Sequence, residues 1–351
     1  MDKKITYREQ TDMENILKLR EVLKTLPPFC RDYFRAISTT TTTKTRISYA
    51  YDIRIFFQFL LEKNPSFKNH SLEDFTVEVL DQITALDIEE YQEYLKVYKN
   101  GDKLETNGER GLKRKISALR SFYAYYYKRE MIHTNPTVLV DIPKVHQKSI
   151  IRLDADEVAM LLDYIEHCGD QLTGQKRMYY EKTKERDLAL VTLLLGTGIR
   201  VSECVGLDVE DIDFKNNGIK VTRKGGNEMI VYFGPEVEKA LKDYLAVREG
   251  ITPLAGHEHA LFYSTQRRRM GVQAVENLVK KYAREITTTK KITPHKLRST
   301  YGTALYQETG DIYLVADVLG HRDVNTTKKH YAALDDARRR QAASAVKLRE
   351  D

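Results

Sequence analysis

The sequence contains 351 residues, a length that fits two domains better than one hydrophobic core. Hydrophobic residues make up 41% and charged residues 31%, a balance typical of globular proteins rather than disordered or membrane-embedded ones. No apolar run approaches the roughly 20 residues of a bilayer-spanning helix, and the first residues hold no signal-peptide core, so we expect a cytoplasmic protein. The net charge of +6 is small, so any nucleic-acid-binding surface depends on where the basic residues lie.

The N-terminal part, to about residue 142, shows helical periodicity in four segments: 16–26, 47–61, 86–98 and 112–127. Polar stretches separate these segments. The Ser/Thr run at 38–43 can cap the helix that follows it, and 100–108 contains glycine and asparagine and reads as a loop. The pattern therefore predicts a helical bundle.

A second part begins after a linker that contains Asn135-Pro136 and Pro143, which interrupt helix formation. We place the domains at 1–146 and 150–351. Asp154 and Asp156 precede an apolar run and predict the start of the second domain's first helix. The strongly polar stretch 169–186 is expected to be an exposed loop or a helix extension.

Apolar residues alternate between 218 and 233, on both sides of Gly225-Gly226-Asn227, which predicts a β-hairpin embedded among helices. Helical patterns return after residue 261 and end in a charged helix at 334–348. Cys30, Cys168 and Cys204 are odd in number and far apart, so we expect reduced, mostly buried thiols and no disulfide or zinc site. The predicted fold class is mainly α with a small β-hairpin or sheet.

The candidate catalytic residues all lie in the second half of the sequence. Arg200 follows the glycine-broken turn GTGI at the start of a helix, where amides favour phosphate oxygens, although it could simply pair with Glu203. Lys224 lies at the hairpin tip, where most lysines are merely solvated. His295-x-x-Arg298 taken alone could be one solvated helical turn, and Tyr331 is one of 22 tyrosines. Their order and spacing are more informative than any single residue.

That order resembles the active site of the tyrosine recombinases, the phage integrase family. The set that carries the resemblance is Arg200, Lys224, His295, Arg298, Leu319-Gly320-His321 and Tyr331. It covers about residues 153–348, and the helical first part is similar in size and pattern to the family's core-binding domain. The resemblance implies a two-domain clamp, with a helical (SAM-like) core-binding domain at 1–146 and a catalytic domain at 150–351 that ends in an exchange helix.

Within the family, the short linker and the GTGIRVSE and LGH boxes are similar to the Xer type. The extra N-terminal helix and the polar 169–186 stretch are similar to the solitary XerS type of streptococci and lactococci. One departure is the interval from His321 to Tyr331, which is ten positions, where the family pattern predicts about nine.

The resemblance implies that Tyr331 attacks a phosphodiester and forms a 3′-phosphotyrosyl link. This link preserves the bond energy, so religation needs no ATP, and we expect no cofactor or metal. Arg200 and Arg298 would clamp the phosphate, because guanidinium groups bind two of its oxygens and stay charged. Glu203 is expected to be structural and to orient Arg200.

The remaining residues of the set have expected roles in proton transfer and phosphate binding. His295 is the candidate base for the tyrosine, His321 would steady the phosphate, and Lys224 is the candidate acid for the departing 5′-oxygen. A competing interpretation treats His295, His321 and His330 as metal ligands. No carboxylate or cysteine completes a ligand spacing, and the arginines would repel a cation.

Two basic segments of the first domain are candidate contacts to double-stranded DNA. One segment directly follows the Ser/Thr run. The other consists of residues that recur along one flank of the 112–127 helix, whose neighbouring face is apolar. The candidate residues are Lys44, Thr45, Arg46, Lys113, Ser117 and Arg120. Solvated basic faces are the alternative, and DNA contact would make binding strongly salt-dependent.

By the same resemblance, the apolar stripe of 334–348 would dock into a neighbouring protomer of a homo-tetramer on two DNA sites, or else pack on its own domain. The expected substrate is a dif-like chromosomal site for dimer resolution at cell division, and the expected partner is an FtsK-type DNA translocase. Rival functions are a DNA-binding regulator without cleavage and a type IB topoisomerase that nicks one strand.

Overall fold

In the computed structural model, the described residues are 6–146, 150–223, 226–321, 323–325 and 327. The chain divides into two units, Met1–Lys148 and Ser149–Asp351. Helices dominate both units, and each contains a small antiparallel sheet. The predicted fold class, mainly α with a small sheet, is confirmed.

The first unit is a helical bundle with one short hairpin. Its elements in chain order are α1 (Tyr7–Leu23), α2 (Cys30–Ala36), α3 (Thr43–Lys63), α4 (Val79–Gln82), α5 (Ala85–Lys96), β1 (Val97–Asn100), β2 (Lys103–Thr106) and α6 (Glu109–Tyr127). Short 3₁₀ turns are formed by Ile37–Thr39, Pro65–Phe67 and Pro136–Val138. The Ser/Thr run has the predicted capping role, because the Thr42 hydroxyl accepts the backbone N–H of Thr45 at 3.2 Å.

Aromatic rings fill the core of this unit. The Phe122 ring packs edge-on against the rings of Tyr33, Phe57 and Tyr126, with centroids 5.1 to 6.3 Å apart. The α6 face predicted to be apolar is indeed buried, as the members of its stripe show: Leu112, Ile116, Leu119 and Tyr123. The opposite flank of α6 remains available to solvent.

The segment 100–108, which we predicted to be a loop, instead contains most of a β-hairpin. Strands β1 and β2 pair in antiparallel register from Val97 opposite Thr106 to Asn100 opposite Lys103. Gly101, with φ of 61°, supplies the left-handed conformation that such a tight turn favours. The sequence pattern missed the hairpin because β2 is exposed throughout and carries no alternation of apolar residues.

The second unit surrounds the buried helix α9. Its described elements are α7 (Ala155–His167), α8 (Gly174–Glu181), α9 (Lys184–Thr197), α10 (Val201–Gly206), β3 (Ile212–Asp213), β4 (Gly218–Thr222), β5 (Glu228–Tyr232), α11 (Pro235–Arg248), α12 (Val272–Ile286), α13 (Pro294–Thr309) and α14 (Ile312–Leu319). Two further 3₁₀ turns are Cys168–Gln171 and Val209–Asp211.

Several boundaries in this unit follow the sequence signals. Asp154 is the N-cap of α7, and Glu157 completes a capping box by accepting the Asp154 N–H at 2.8 Å. The predicted hairpin is present as β4 paired with β5, and β3 extends the sheet on the other side of β4. The polar stretch 169–186 is neither a plain loop nor an extension of α7, because it contains the separate helix α8.

The three cysteines are buried and unbonded to one another, as predicted. Within the described ranges, no helix combines the length and the apolar character needed to cross a bilayer. The charged helix expected at 334–348 lies outside the described residues.

Candidate active site

The C-terminal end of α14 is the point at which the candidate site is assembled. Gly320 adopts φ of 61°, and its N–H bonds to the Asp317 carbonyl at 2.7 Å while the N–H of His321 bonds to the Ala316 carbonyl at 2.9 Å. This pair of bonds is a Schellman ending, which satisfies two of the four carbonyls that a helix terminus leaves open. The other two, on Val318 and Leu319, accept hydrogen bonds from arginine side chains.

Arg298 is the most deeply placed of the predicted site residues. It lies on α13 with only 4% of its surface exposed, which is unusual for an arginine. Its guanidinium donates to the Gly198 carbonyl at 2.6 Å and also to the carbonyl of Leu319. Helix α13 therefore fixes Arg298 between the C-terminal ends of α9 and α14, where helix dipoles favour a cation.

Arg200 reaches the same place from the N-terminus of α10. Its backbone N–H and its Nη1 donate to the two carboxylate oxygens of Glu203, at 2.8 and 2.7 Å, and its Nη2 donates to the Gly320 carbonyl at 3.2 Å. The Glu203 carboxylate is buried, as a structural role requires, while the Arg200 side chain remains 35% exposed. The pairing of Arg200 with Glu203, which the sequence offered as the alternative to phosphate binding, thus orients the guanidinium beside α14.

The two candidate histidines, His295 and His321, lie on either side of Arg298 in the chain. His321 directly follows Gly320, is half-buried, and shares a hydrogen bond between its Nδ1 and the buried Thr327 hydroxyl at 2.7 Å. His295 is exposed in the first turn of α13, three residues before Arg298. A spacing of three places them on the same side of the helix.

Sequence reasoning missed a further arginine, Arg223, which is 8% exposed. Its Nη1 lies 3.3 Å from Glu203 and 3.2 Å from the Leu319 carbonyl, and its Nη2 donates to the Val318 carbonyl at 2.8 Å. Burial lowers the pKa of Arg223, and the nearby Glu203 opposes that shift. A usable signal was present, because residue 223 continues the inward-facing register of Ile219 and Val221.

The arrangement concentrates positive charge. Three guanidinium groups meet at the end of α14, with Glu203 as the carboxylate that bridges two of them, and uncharged carbonyls supply most of the remaining contacts. Carbonyl dipoles orient a cation without neutralising it. Such an array is suited to bind and activate a phosphate group.

Two predicted members of the site, Lys224 and Tyr331, lie outside the described residues. So does His330, the third histidine of the metal interpretation. Among the side chains that the structure describes, no cluster of three or more His, Cys, Asp or Glu is arranged to hold a metal ion.

The first group of predicted DNA-binding residues lies at the start of α3, in the first unit. Lys44 is exposed in the first turn, and the Thr45 hydroxyl lies 2.9 Å from that of Thr42. Arg46 is half-buried, and its Nε is shielded from solvent without a hydrogen-bond partner in the described part of the chain.

The second group lies on α6. Lys113 is exposed, and the Ser117 hydroxyl donates to the Lys113 carbonyl at 2.7 Å. Arg120 has a different environment: its Nε donates to the Thr137 carbonyl at 2.9 Å, and its Nη2 donates to the carbonyl of Val140. Much of the Arg120 guanidinium is therefore used to hold the segment that follows α6.

Comparisons with known proteins identify relatives of this chain. The profile of the Phage integrase family matches residues 151–338. Tyrosine recombinase XerC of Caldanaerobacter subterraneus subsp. tengcongensis is 32% identical over 348 residues, covering 95% of this chain and 91% of the relative. Tyrosine recombinase XerS of Lactococcus lactis subsp. cremoris is 30% identical over 346 residues, covering 91% of this chain and 94% of the relative.

Solved structures share the fold. The XerH site-specific recombinase bound to its difH substrate aligns with a TM-score of 0.62 at 21% identity, over 87% of this chain and 80% of that one. A lambda integrase dimer bound to a core site aligns with a TM-score of 0.60 at 18% identity, over 86% and 93%. The family match, which spans more than half of the chain, and the full-length curated relatives show that this chain belongs to the phage integrase family, the tyrosine recombinases.

Proposed function

We propose that this chain cleaves and rejoins DNA at a specific site through a 3′-phosphotyrosyl link to Tyr331. The observation that carries the proposal is the convergence of Arg200 and Arg298 on adjacent carbonyls at the end of α14, directly before His321. A phosphodiester gains negative charge on its oxygens as it is attacked, so guanidinium groups fixed in advance stabilise the transition state most.

The proposed reaction moves two protons. The Tyr331 oxygen attacks phosphorus, and its proton passes to His295, because an unperturbed phenol has a pKa of ~10 and is a weak nucleophile until deprotonated. The bond from phosphorus to the 5′-oxygen breaks, and Lys224 gives that oxygen a proton. Arg200, Arg298 and His321 hold the nonbridging oxygens. The reverse reaction with a new 5′-hydroxyl rejoins the strand, so no ATP is required.

The proposed substrate is double-stranded DNA with a dif-like site, and the proposed role is resolution of chromosome dimers during cell division. The Xer names of the relatives and the difH substrate of the XerH structure support this choice. A chromosomal substrate would place the protein in the cytoplasm. Lys44, Arg46 and Lys113 are the proposed phosphate contacts, with smaller contributions from Thr45, Ser117 and Arg120 because their polar groups bond within the chain.

The proposed active assembly is a homo-tetramer on two sites. The apolar stripe of the sequence 334–348 supports docking of each C-terminal segment on a neighbouring protomer. An FtsK-type DNA translocase is the proposed activating partner, on the strength of the Xer relatives alone.

The proposal is tested by trapping the covalent intermediate. A duplex selected from a random library for tight binding is labelled and nicked, so that the cleaved strand loses a short fragment and cannot be rejoined. Wild-type protein in EDTA should give a protein–DNA adduct on a denaturing gel, and Tyr331→Phe should give none. Tyr313→Phe is the matched control, because Tyr313 is 71% exposed on α14 and should leave adduct formation at the wild-type level.

Two outcomes would contradict the proposal. Binding without an adduct from any of the proteins would favour the DNA-binding regulator, and an adduct from Tyr331→Phe would assign the nucleophile to another residue. A plasmid with two copies of the selected site separates recombination from topoisomerase activity. Recombination gives new restriction fragments, whereas a type IB topoisomerase only relaxes supercoils.

A further inference from the structure

Arg223 connects three parts of the second unit. Its backbone directly follows β4, and its guanidinium contacts Glu203 on α10, the Val318 and Leu319 carbonyls on α14, and the Met229 sulfur on β5 at 3.1 Å. Of the helices it contacts, α10 begins directly after Arg200, and α14 ends two residues before His321. The residue after it in the chain is Lys224.

The buried position of Arg223 is costly, because a guanidinium loses its hydration there and an apolar side chain of similar volume would not. The contacts offset this cost with charge-assisted hydrogen bonds that point in fixed directions. What the arginine adds over an apolar residue is therefore a fixed geometry between the hairpin and the ends of α10 and α14.

Gly320 is shaped to admit this guanidinium. A Cβ at position 320 would lie 3.0 Å from both Cζ and Nε of Arg223, which is tighter than ordinary contact. The close approach lets Arg223 reach Val318 and Leu319, while the Gly320 carbonyl accepts Arg200. The glycine of the LGH box thus serves Arg223 as well as the helix ending.

Arg200 and Arg298 are also held by hydrogen bonds that do not involve Arg223. Arg200 keeps two bonds to Glu203, and Arg298 keeps its bonds to Gly198 and Leu319. Loss of the Arg223 guanidinium should therefore spare the arginine clamp and loosen chiefly the base of the hairpin. Lys224 is joined to that base by the peptide bond to Arg223.

We propose that Arg223 is a positioning residue that acts through Lys224, holding the base of the β4–β5 hairpin against α10 and α14 so that the leaving 5′-oxygen receives its proton. This inference rests on the proposed function, and in particular on Lys224 as the general acid. Arg223 itself touches neither substrate nor reacting atoms in this scheme.

A sulfur substrate tests the inference. When the bridging 5′-oxygen is replaced by sulfur, the P–S bond breaks to release a thiolate that needs no proton, so a defect in proton donation disappears. Arg223→Met should cleave the oxygen substrate about 100-fold more slowly than wild type, in the range expected for loss of general acid catalysis, and the sulfur substrate within about tenfold of wild type. Lys224→Ala should behave alike, whereas Arg298→Ala should be slow on both substrates.

Equal slowing of Arg223→Met on both substrates would overturn the inference, and so would wild-type cleavage of the oxygen substrate. Failure of wild-type protein to cleave either substrate would instead refute the proposed function. If circular dichroism shows that Arg223→Met does not fold, Arg223→Lys provides the same comparison. Lysine keeps the charge without the guanidinium fork, so we expect a smaller oxygen-specific defect with the same rescue by sulfur, and a defect without rescue would overturn the inference.

Discussion

Two glycines at helix ends, Gly198 and Gly320, determine how closely the helices of the second unit approach one another. Gly198 ends α9 with φ of 61°, and its carbonyl accepts Arg298. A Cβ there would lie 2.4 Å from the Tyr301 ring and 2.9 Å from Leu319. Glycine is therefore needed at position 198 for two reasons. The backbone there is left-handed, and a side chain would collide with α13 and α14.

The two requirements can be separated with a matched pair of variants. Gly174 has φ of 56°, but a Cβ added there would meet nothing within 4 Å, so Gly174→Ala should cost only the left-handed conformation, about 1 kcal/mol. Gly198→Ala should cost about 3 kcal/mol or more, because overpacking adds to that strain. Amide hydrogen exchange of peptides from α9 and α8 measures both costs, and similar losses at the two positions would contradict the packing argument.

At the scale of elements, a buried charge network joins α3 to α6 in the first unit. The Asp52 carboxylate, 2% exposed, contacts the Arg114 guanidinium, and the ammonium of Lys115 lies 3.8 Å away. Burial raises the pKa of Asp52 to about 6, although both cations oppose the shift. The folded protein therefore holds this proton more tightly than the unfolded chain, in which aspartate has a pKa of ~3.9.

The sign of the pH effect follows from that difference. As pH rises from about 4 to about 7, the folded state gives up a proton that the unfolded chain has already lost, so the contribution of Asp52 to stability decreases. Asp52→Asn does not titrate. The stability of wild type minus that of the variant should therefore fall by about 1 to 3 kcal/mol over this window, measured by hydrogen exchange in α3 and α6. Glu89→Gln, an exposed change on α5, should give a flat difference, and a flat difference for Asp52→Asn would contradict the network.

Secondary-structure elements differ in how well their sequence patterns predict them. Helices such as α3 and α6 were predictable because their apolar residues recur at helical spacing, and the Thr42 hydroxyl in addition marks the start of α3. The β1–β2 hairpin and α8 were missed because their residues are mostly polar and exposed, so their pairing leaves no periodic signal. The alternation of Ile219 and Val221 indicated an inward-facing Arg223, but its partners, the carbonyls of Val318 and Leu319, are distant in the sequence and left no signal there.

For the molecule as a whole, a net charge of +6 over 351 residues leaves DNA affinity to local surfaces. Acidic residues elsewhere balance most of the basic ones. Lys24, for example, pairs with Glu21 at 2.8 Å, whereas Lys44 and Lys113 are exposed and form no ion pair within the part of the chain that the structure describes. We expect the latter two to contribute to the salt dependence of DNA binding.

This expectation is tested by the salt dependence of affinity for a short nonspecific duplex. Each phosphate contact contributes about 0.9 to the slope of log K against log salt concentration. Lys44→Gln combined with Lys113→Gln should therefore make the slope shallower by about 2, whereas Lys24→Gln should leave it unchanged. An unchanged slope in the double variant would remove both lysines from the DNA-binding surface. Fluorescence anisotropy at several salt concentrations provides the measurement.

The ending of α14 also affects how the kinetics of this enzyme should be interpreted. Its carbonyl oxygens neither gain nor lose protons at any pH that the protein survives, so the contacts by which they hold the arginines do not themselves change with pH. A rate profile across neutral and alkaline pH would then report the groups that exchange protons with the substrate. It would not record the disassembly of the residues that hold the phosphate.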